Sequence, residues 1–346
     1  MYPSKKDPIY GNFVQEQNEF LKKNGFNTLV SKITERDGNP IQKVIKYVKL
    51  FSDSFSKALR PDVKIIHYHY EYPTALFAPF FKYVLRKKVF ITVHGPRVLE
   101  HTGWKKSLIK SFFNASDYVV CVSDYLKNEL QTIYSLNENK VLSIHCGVDT
   151  QKFFPVNQSE ARTELHLNTD KKIILYLGRI HDEKGMDYYA KIIPELINEN
   201  KHLYFLFVGN GPHTHHFDVL YEQFPDNFEY RTGVAKEEVP KYFNAADMFV
   251  FPTKMETFGL VALEALACDT LVVAAKVGGV PEIIENKNRG FLFENGNELE
   301  LKETIKLALT INEETREKIS ENGKLFVQQN TIEQQTKSLI RFYEKI

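Results

Sequence analysis

The segment Ala246–Ala267, ADMFVFPTKMETFGLVALEALA, limits what this chain can become. Its apolar run Met248–Phe251, closed by Pro252, has the length and composition of a buried strand. The polar loop Thr253–Thr257 follows and carries Glu256. Phe258 and Gly259 then lead into Leu260–Ala267, whose Leu and Ala content reads as a buried helix. A strand, a loop and a helix opening on glycine form the repeating unit of a parallel α/β sheet. Such a unit presents a site at the carboxyl end of its strand. Unpaired N–H groups at the helix start favour an anion, and Gly259 lets it approach closely. Glu256 would stand beside that anion. Glu264, about two turns into the helix, would look along its flank. Two ordinary surface carboxylates explain the spacing equally well, so the rest of the chain decides.

The totals narrow the classes. At 346 residues the chain has room for two domains, and 43% apolar residues suffice for real cores. A net charge of +1 supplies no strong field for nucleic acid or an anionic membrane, though a local basic patch stays open. Cys121, Cys146 and Cys268 are odd in number and far apart. They fit neither a disulfide framework nor a zinc site, so a reducing cytoplasm is the default expectation. No apolar run is long enough to cross a bilayer, and the N-terminus lacks a signal-peptide core.

In chain order, Met1–Pro8 is polar and turn-like. Gly11-Asn12-Phe13 opens a helical pattern that Asn24-Gly25 stops, and Asn27–Val30 begins a strand. A doubly wound domain normally starts with a strand before its glycine loop, and that strand lies mid-sheet. Here the pattern starts at the loop. Either a few apolar residues upstream are missing, or another segment fills the gap. Ile41–Leu59 is helical. Val63–His69 is a strand that places His67 and His69 on one face; structural and acceptor-facing roles both stay open for the pair. Tyr72–Arg86 reads as an aromatic helix. Val89–Val93 is a strand whose carboxyl end carries His94, a position that points into the ligand crevice of such sheets. Trp104–Phe113 is a basic, aromatic amphipathic helix, suited to packing on a sheet or to a weak peripheral membrane contact. Tyr118–Val122 and Val141–Ile144 are further strands around a helix starting at Ser123.

The polar stretch from Thr150 to Lys172 begins with a domain linker. This divides the chain into 1–154 and 155–330, with a closing helix, 331–346, returning to the first part. Ile173–Leu177 is a strand followed by Gly178-Arg179 and Glu183-Lys184-Gly185. Arg179 and Lys184 flank the crevice that the Glu256 loop would line. An arginine can grip phosphate with two N–H groups, and a lysine adds a point charge. Leu203–Val208 ends in the tight turn Gly209-Asn210-Gly211-Pro212. Phe228–Tyr230 and Leu271–Ala275 are strands. Pro281 is expected at the first position of a helix Glu282–Asn286, and Phe291–Phe293 is a short strand.

The ordered motifs GRIHDEKG (Gly178–Gly185), FVGNGP (Phe207–Pro212), and two glutamates, Glu256 and Glu264, with seven residues between them that include FGL, carry a resemblance. VSDYL, CGVD, AADMFVFPT and GGVPEII add to it. The chain resembles the retaining nucleotide-sugar glycosyltransferases of GT-B architecture, the glycosyl transferases group 1 or family 4, from about Gly11 to the C-terminus. The resemblance implies an α/β protein of two Rossmann-like domains facing across a cleft, here with the first domain's first strand absent. It implies that Arg179 and Lys184 bind the donor diphosphate and that Glu256 contacts the sugar hydroxyls. Phe258, Gly259 and Leu260 would offer backbone donors, and Glu264 would bind the ribose. His94 would stand beside the donor sugar, Gly11 and Asn12 would close over the phosphates, and Val234 would help seat the base. Four positions depart from the family pattern. Asn12 replaces a second glycine, Cys146 stands where asparagine is common, and Asp269 and Leu271 replace a usual Gly and Pro.

The chemistry asks for these residue types. Breaking a sugar–nucleotide bond builds negative charge on the leaving diphosphate and positive charge on the sugar. Two cations and a helix N-terminus aim fixed positive potential at the former. The sequence has no Asp-x-Asp motif, so neither a metal nor a cofactor is expected. The expected function is transfer of a hexose or N-acetylhexosamine, UDP-linked rather than GDP-linked, to a glycan, lipid-linked or small-molecule acceptor. Retention is implied by the resemblance. A catalytically silent nucleotide-sugar-binding partner of another transferase is the alternative, and a sugar phosphorylase is a weaker third. The expected location is the cytoplasm, with the inner face of the membrane as an option.

Overall fold

The structure is a computed structural model that describes residues 2, 11–34, 39–167, 170–211 and 215–345, without the side chains of Asn12, His215 and His216. Pro212 and most of the segment before Gly11 lie outside the described residues. The chain forms two compact units, Met1–Gly147 with Ile332–Ile346, and Val148–Thr331.

The first unit opens with α1 (Asn12–Lys23) and α2 (Pro40–Ala58). Asn39 caps α2: its side chain accepts from Gln42 N at 2.9 Å, while the Gln42 side chain accepts from Asn39 N at 3.0 Å. There follow β1 (Ile65–His69), α3 (Ala78–Tyr83), β2 (Lys88–Val93), α4 (Gly103–Ala115), β3 (Tyr118–Cys121), α5 (Asp124–Tyr134) and β4 (Val141–Ser143). The four strands are parallel in the order β1-β2-β3-β4. Central β2 is apolar throughout from Val89 to Val93 apart from Thr92, as burial on both faces requires.

Two expectations fail here. Asn27–Val30 is extended but belongs to no strand. The Val30 carbonyl accepts from Lys57 Nζ at 2.8 Å instead of from a neighbouring strand. Strand propensity without a ladder partner does not make a strand. The aromatic stretch Tyr72–Arg86 is not one helix but a short helical turn, Thr74–Phe77, followed by α3. The apolar residues Ile109, Phe112 and Phe113 of α4 are buried, whereas Trp104 is exposed.

The second unit contains α6 (Gln158–Glu164), β5 (Lys172–Leu177), α7 (Met186–Glu199), β6 (Leu203–Val208), α8 (His215–Gln223), β7 (Phe228–Arg231) and α9 (Val239–Ala245). It continues through β8 (Met248–Phe251), α10 (Leu260–Ala267), β9 (Leu271–Ala275), α11 (Val280–Ile284), β10 (Phe291–Phe293), α12 (Glu298–Leu309) and α13 (Glu313–Gln329). Its six strands are all parallel, in the order β10-β9-β8-β5-β6-β7. The order reverses between β5 and β8, which pair through Ile174↔Met248 and Leu175↔Phe249. In doubly wound sheets this reversal opens a crevice at the strands' carboxyl ends. The helix expected over Glu282–Asn286 is α11, which starts earlier. Gly279 precedes it, so Pro281 is its second residue.

Aromatic packing holds the second unit's core. The Phe207 ring lies 5.3 Å from Tyr176, 4.7 Å from Phe217 and 5.3 Å from Phe228. At the opposite end of the sheet, Asp247 joins three groups. It accepts from Ile173 N at 2.7 Å, from Arg162 Nη2 at 2.7 Å and from Lys172 Nζ at 3.1 Å. The chain then returns to the first unit as α14 (Ile332–Tyr343). Leu339 and Tyr343 of α14 pack with Leu21, Phe90, Val120 and Ile144. Among the described residues, no helix is long and apolar enough to cross a membrane.

Because Phe207 is fully buried at the centre of its ring cluster, Phe207→Ala should cost about 3–5 kcal/mol of stability. Urea unfolding of the variant, followed by circular dichroism, should show the loss as an earlier transition.

Candidate active site

The site in the second unit is built where the strand order reverses. The turn after β5 contains Arg179 and Lys184, and the loop after β8 contains Thr253 and Glu256. Two backbone features press these loops together. Lys254 N donates to Glu183 O at 2.9 Å. Gly185 sits at φ 77°, and a Cβ there would lie 1.9 Å from the Pro252 carbonyl oxygen. Glycine is therefore required both by the left-handed backbone and by the close approach.

Lys184 closes the short helical turn Asp182–Lys184. Its Nζ donates to Glu256 Oε2 at 3.1 Å and to Thr253 Oγ1 at 3.4 Å. The ammonium also stands 5.8 Å from the centre of the Phe251 ring. Glu256 Oε1 accepts from Thr257 N at 3.1 Å, so both carboxylate oxygens have a partner. Thr253 is completely buried, while Lys184 and Glu256 are both partly open to solvent. The pair is thus a fixed, hydrated device rather than a core bridge. Arg179 lies on the same turn as Lys184 and is exposed; its carbonyl accepts from Tyr176 Oη at 2.7 Å. Among the described residues its guanidinium makes no ion pair.

The loop after β8 ends at Gly259, which precedes α10 with φ 101°. Phe258 and Gly259 are buried, and Leu260 is half-buried as the first residue of α10. Glu264 is half-buried and lies one turn into α10, not two, because the helix begins only after Gly259. Val234 is half-buried in the loop after β7.

The first unit brings its own expected residues together. Gly11, at φ 72°, precedes α1, and Asn12 is the first helical residue. The next side chain, Phe13, packs its ring 4.6 Å from that of His94. His94 Nε2 lies 3.0 Å from His69 Nδ1, and the two rings are nearly parallel. His67 stacks on His69 at 4.6 Å and bonds Thr92 Oγ1 through Nε2 at 2.6 Å; its Nδ1 bonds the Tyr343 hydroxyl. Burial pushes His67 and His94 down to about 3, and lowers His69 well below its ordinary value with help from the neighbouring rings. These imidazoles are neutral, so a single shared proton joins His69 to His94.

Several features of this cluster were not visible in the sequence. Tyr70, a non-glycine residue at φ 77°, sets its ring 5.1 Å from His94. Glu71 is buried, and desolvation raises its carboxyl to about 7. The Thr253 contact to Lys184 and the Tyr343 contact to His67 join residues far apart in the chain. The alternation His67-Tyr68-His69 and the place of His94 after its strand were the parts of the cluster signalled beforehand.

Two parallel-sheet α/β units of this topology define the GT-B class of glycosyltransferases. HepE of Anabaena, solved in complex with UDP, superimposes with a TM-score of 0.74 over 95% of this chain and 89% of that one at 17% identity, a likeness of fold. Residues 24–152 match glycosyltransferase family 4, and residues 157–326 match the glycosyl transferases group 1. The chain belongs to this glycosyltransferase family. It is similar to an uncharacterized glycosyltransferase of Methanocaldococcus jannaschii, 28% identical over 82% of this chain and 76% of the relative. It also resembles the N-acetyl-alpha-D-glucosaminyl L-malate synthase of Bacillus anthracis, 27% identical over 69% of this chain and 64% of that enzyme.

The buried groups of the first unit predict an acid-sensitive fold. The imidazoles bind protons more weakly in the folded than in the unfolded chain. Their contribution is complete above the unfolded value near 6.5 and is lost as pH falls toward 3. Glu71 acts oppositely: its penalty is absent below about 4.5 and complete above about 7. Three rings outweigh one carboxyl, so the thermal midpoint of the first unit should fall between pH 7 and pH 5. Glu71→Gln should stabilise at pH 8, by up to about 3 kcal/mol, and should leave stability at pH 4 unchanged. Calorimetry at the three pH values checks both expectations.

Proposed function

We propose that this protein transfers a hexose or N-acetylhexosamine from a UDP-linked donor to an acceptor hydroxyl, with retention and without a metal. The observation that carries this reading is the Lys184–Glu256 pair at the reversal of strand order, beside the glycine start of α10. HepE binds UDP, and the B. anthracis relative handles an N-acetylglucosaminyl group by name, which supports the donor class.

Each residue then has a distinct task. Lys184 and Arg179 neutralise charge on the leaving diphosphate, and the N–H groups around Phe258, Gly259 and Leu260 add the helix-start potential. Glu256 holds the sugar hydroxyls and, by pairing with Lys184, fixes that ammonium before the reaction. The device is preorganised, so little reorganisation is needed as charge develops. Glu264 takes the ribose hydroxyls and Val234 borders the base. The leaving phosphate assists removal of the acceptor proton, so no further side chain is assigned as base. The acceptor class is a glycan, a lipid-linked sugar or a small molecule.

Release of UDP from a panel of nucleotide sugars, with and without acceptors, tests the proposal. Lys184→Ala and Glu256→Ala should each lower kcat/KM about 10²–10³-fold. A partly exposed ion pair contributes about 1 kcal/mol or less to stability, so both variants should unfold nearly where wild type does. Glu264→Ala should raise the donor KM while leaving kcat close to wild type. A chelator should leave the rate unchanged. Wild-type turnover in both Lys184→Ala and Glu256→Ala would reject the site, and donor binding without transfer would favour the silent-partner alternative.

A further inference from the structure

The two hydrogen-bond acceptors that meet the Lys184 ammonium differ in kind. Glu256 Oε2 accepts at 3.1 Å and Thr253 Oγ1 at 3.4 Å. The carboxylate is charged, partly open to water and next in the chain to Met255, an exposed residue. The hydroxyl is neutral and wholly buried. A buried hydroxyl is costly unless it is bonded, and it carries one proton and two lone pairs. The Met255 carbonyl takes that proton at 3.0 Å, while the Glu183 carbonyl stands farther off at 3.5 Å. The lone pairs stay available, and the ammonium of Lys184 reaches them.

The backbone on both sides of Thr253 is pinned. Before it, the Pro252 carbonyl accepts from the Tyr188 hydroxyl. After it, Lys254 N donates to Glu183 O at 2.9 Å. Lys254 is held twice more, its Nζ by Asp187 at 2.6 Å and its carbonyl by Asn295 Nδ2 at 3.2 Å. Threonine is also stiff about its first side-chain torsion, whereas a glutamate side chain has further torsions to turn. In the transfer reaction proposed for this site, Glu256 serves the sugar hydroxyls and Lys184 the diphosphate. A carboxylate engaged by hydroxyls holds the ammonium less firmly, and Thr253 does not let go. An ammonium has three protons, so a bond to Thr253 still leaves two for charged partners. Both present contacts exceed the about 2.7–2.9 Å of a tight charge-assisted bond, which gives the ammonium room to settle on the hydroxyl.

We propose that Thr253 is a positioning residue for the donor diphosphate: its buried hydroxyl holds the Lys184 ammonium in place when Glu256 turns to the sugar. Thr253 acts through the lysine and does not itself touch the donor. The proposal rests on the reading of Lys184 as the cation that meets the diphosphate.

Calorimetric titration of the full chain with UDP tests it, with uridine binding followed by nuclear magnetic resonance as the phosphate-free control. Thr253→Val removes the hydroxyl at nearly constant volume and should weaken UDP about fivefold. Uridine binding should not change. Lys184→Ala should weaken UDP about thirtyfold, the loss of a charged hydrogen bond. In the double variant the two losses should not add, because Thr253 has no other route to the ligand. Thr253→Ser keeps the hydroxyl and should bind UDP within about twofold of wild type. Should the valine methyl disturb the loop, as a changed circular dichroism spectrum would show, the smaller Thr253→Ala repeats the measurement. UDP affinity lowered by Lys184→Ala but not by Thr253→Val would overturn the proposal and leave the reading of the site standing. Affinity lowered by neither would overturn both. Equal losses in the serine and valine variants would also sink the role of the hydroxyl, as would a valine loss that persists in full without the lysine.

Discussion

The pairing of Lys184 with Glu256 depends on a backbone contact in which no side chain takes part. The turn after β5 and the loop after β8 meet because Gly185 has no Cβ to strike the Pro252 carbonyl. The two strands are far apart in the chain, yet they are adjacent in the sheet at the reversal of order. Remove the close approach and the cation and carboxylate separate, whatever their own chemistry. The ion pair itself stabilises the fold only slightly, since both groups remain in contact with water. Its value lies in fixing a lysine that would otherwise sample many rotamers.

The two units answer different electrostatic demands. In the second unit, Lys184 and Glu256 keep contact with water, where the cation can meet an anion. In the first, the histidine cluster and Glu71 are buried, which favours their neutral forms. His67, His69 and His94 are stacked and desolvated, and Glu71 is pushed toward its protonated form. A neutral imidazole donates one hydrogen bond and accepts one, each with a fixed direction. The left-handed Tyr70, a conformation costly for a bulky side chain, places its ring against this cluster. Pairing of β1 with β2 sets the register of His67 and His69, and packing against α1 and α14 adds to it. Phe13 approaches His94 from α1, and Tyr343 reaches His67 from α14.

The parts of the fold that were legible in the sequence share a physical basis. Fully buried parallel strands must be apolar on both faces, so β2, β5, β6, β8 and β9 announce themselves as short Val, Ile, Leu and Phe runs. Helix starts on Gly185 and Gly259 follow from backbone geometry that few other residues tolerate. The segment Asn27–Val30 has the same strand-like composition and yet forms none, because a ladder partner is a property of the neighbours and not of the segment. The aromatic stretch Tyr72–Arg86 failed as a single helix for a related reason: its rings serve the contact with α2, and the chain bends to deliver them.

The sequence by itself determined the alternation of strands and helices, the two parallel sheets, and which residues stand at the carboxyl ends of the strands. These are local consequences of apolar run length, glycine placement and capping. Tertiary structure alone decided that Lys184 meets both Glu256 and Thr253, that His69 bonds His94, and that Tyr343 closes the first unit's core. Each of these joins positions whose separation along the chain carries no signal, because only the order of strands in the sheet fixes which loop ends become neighbours.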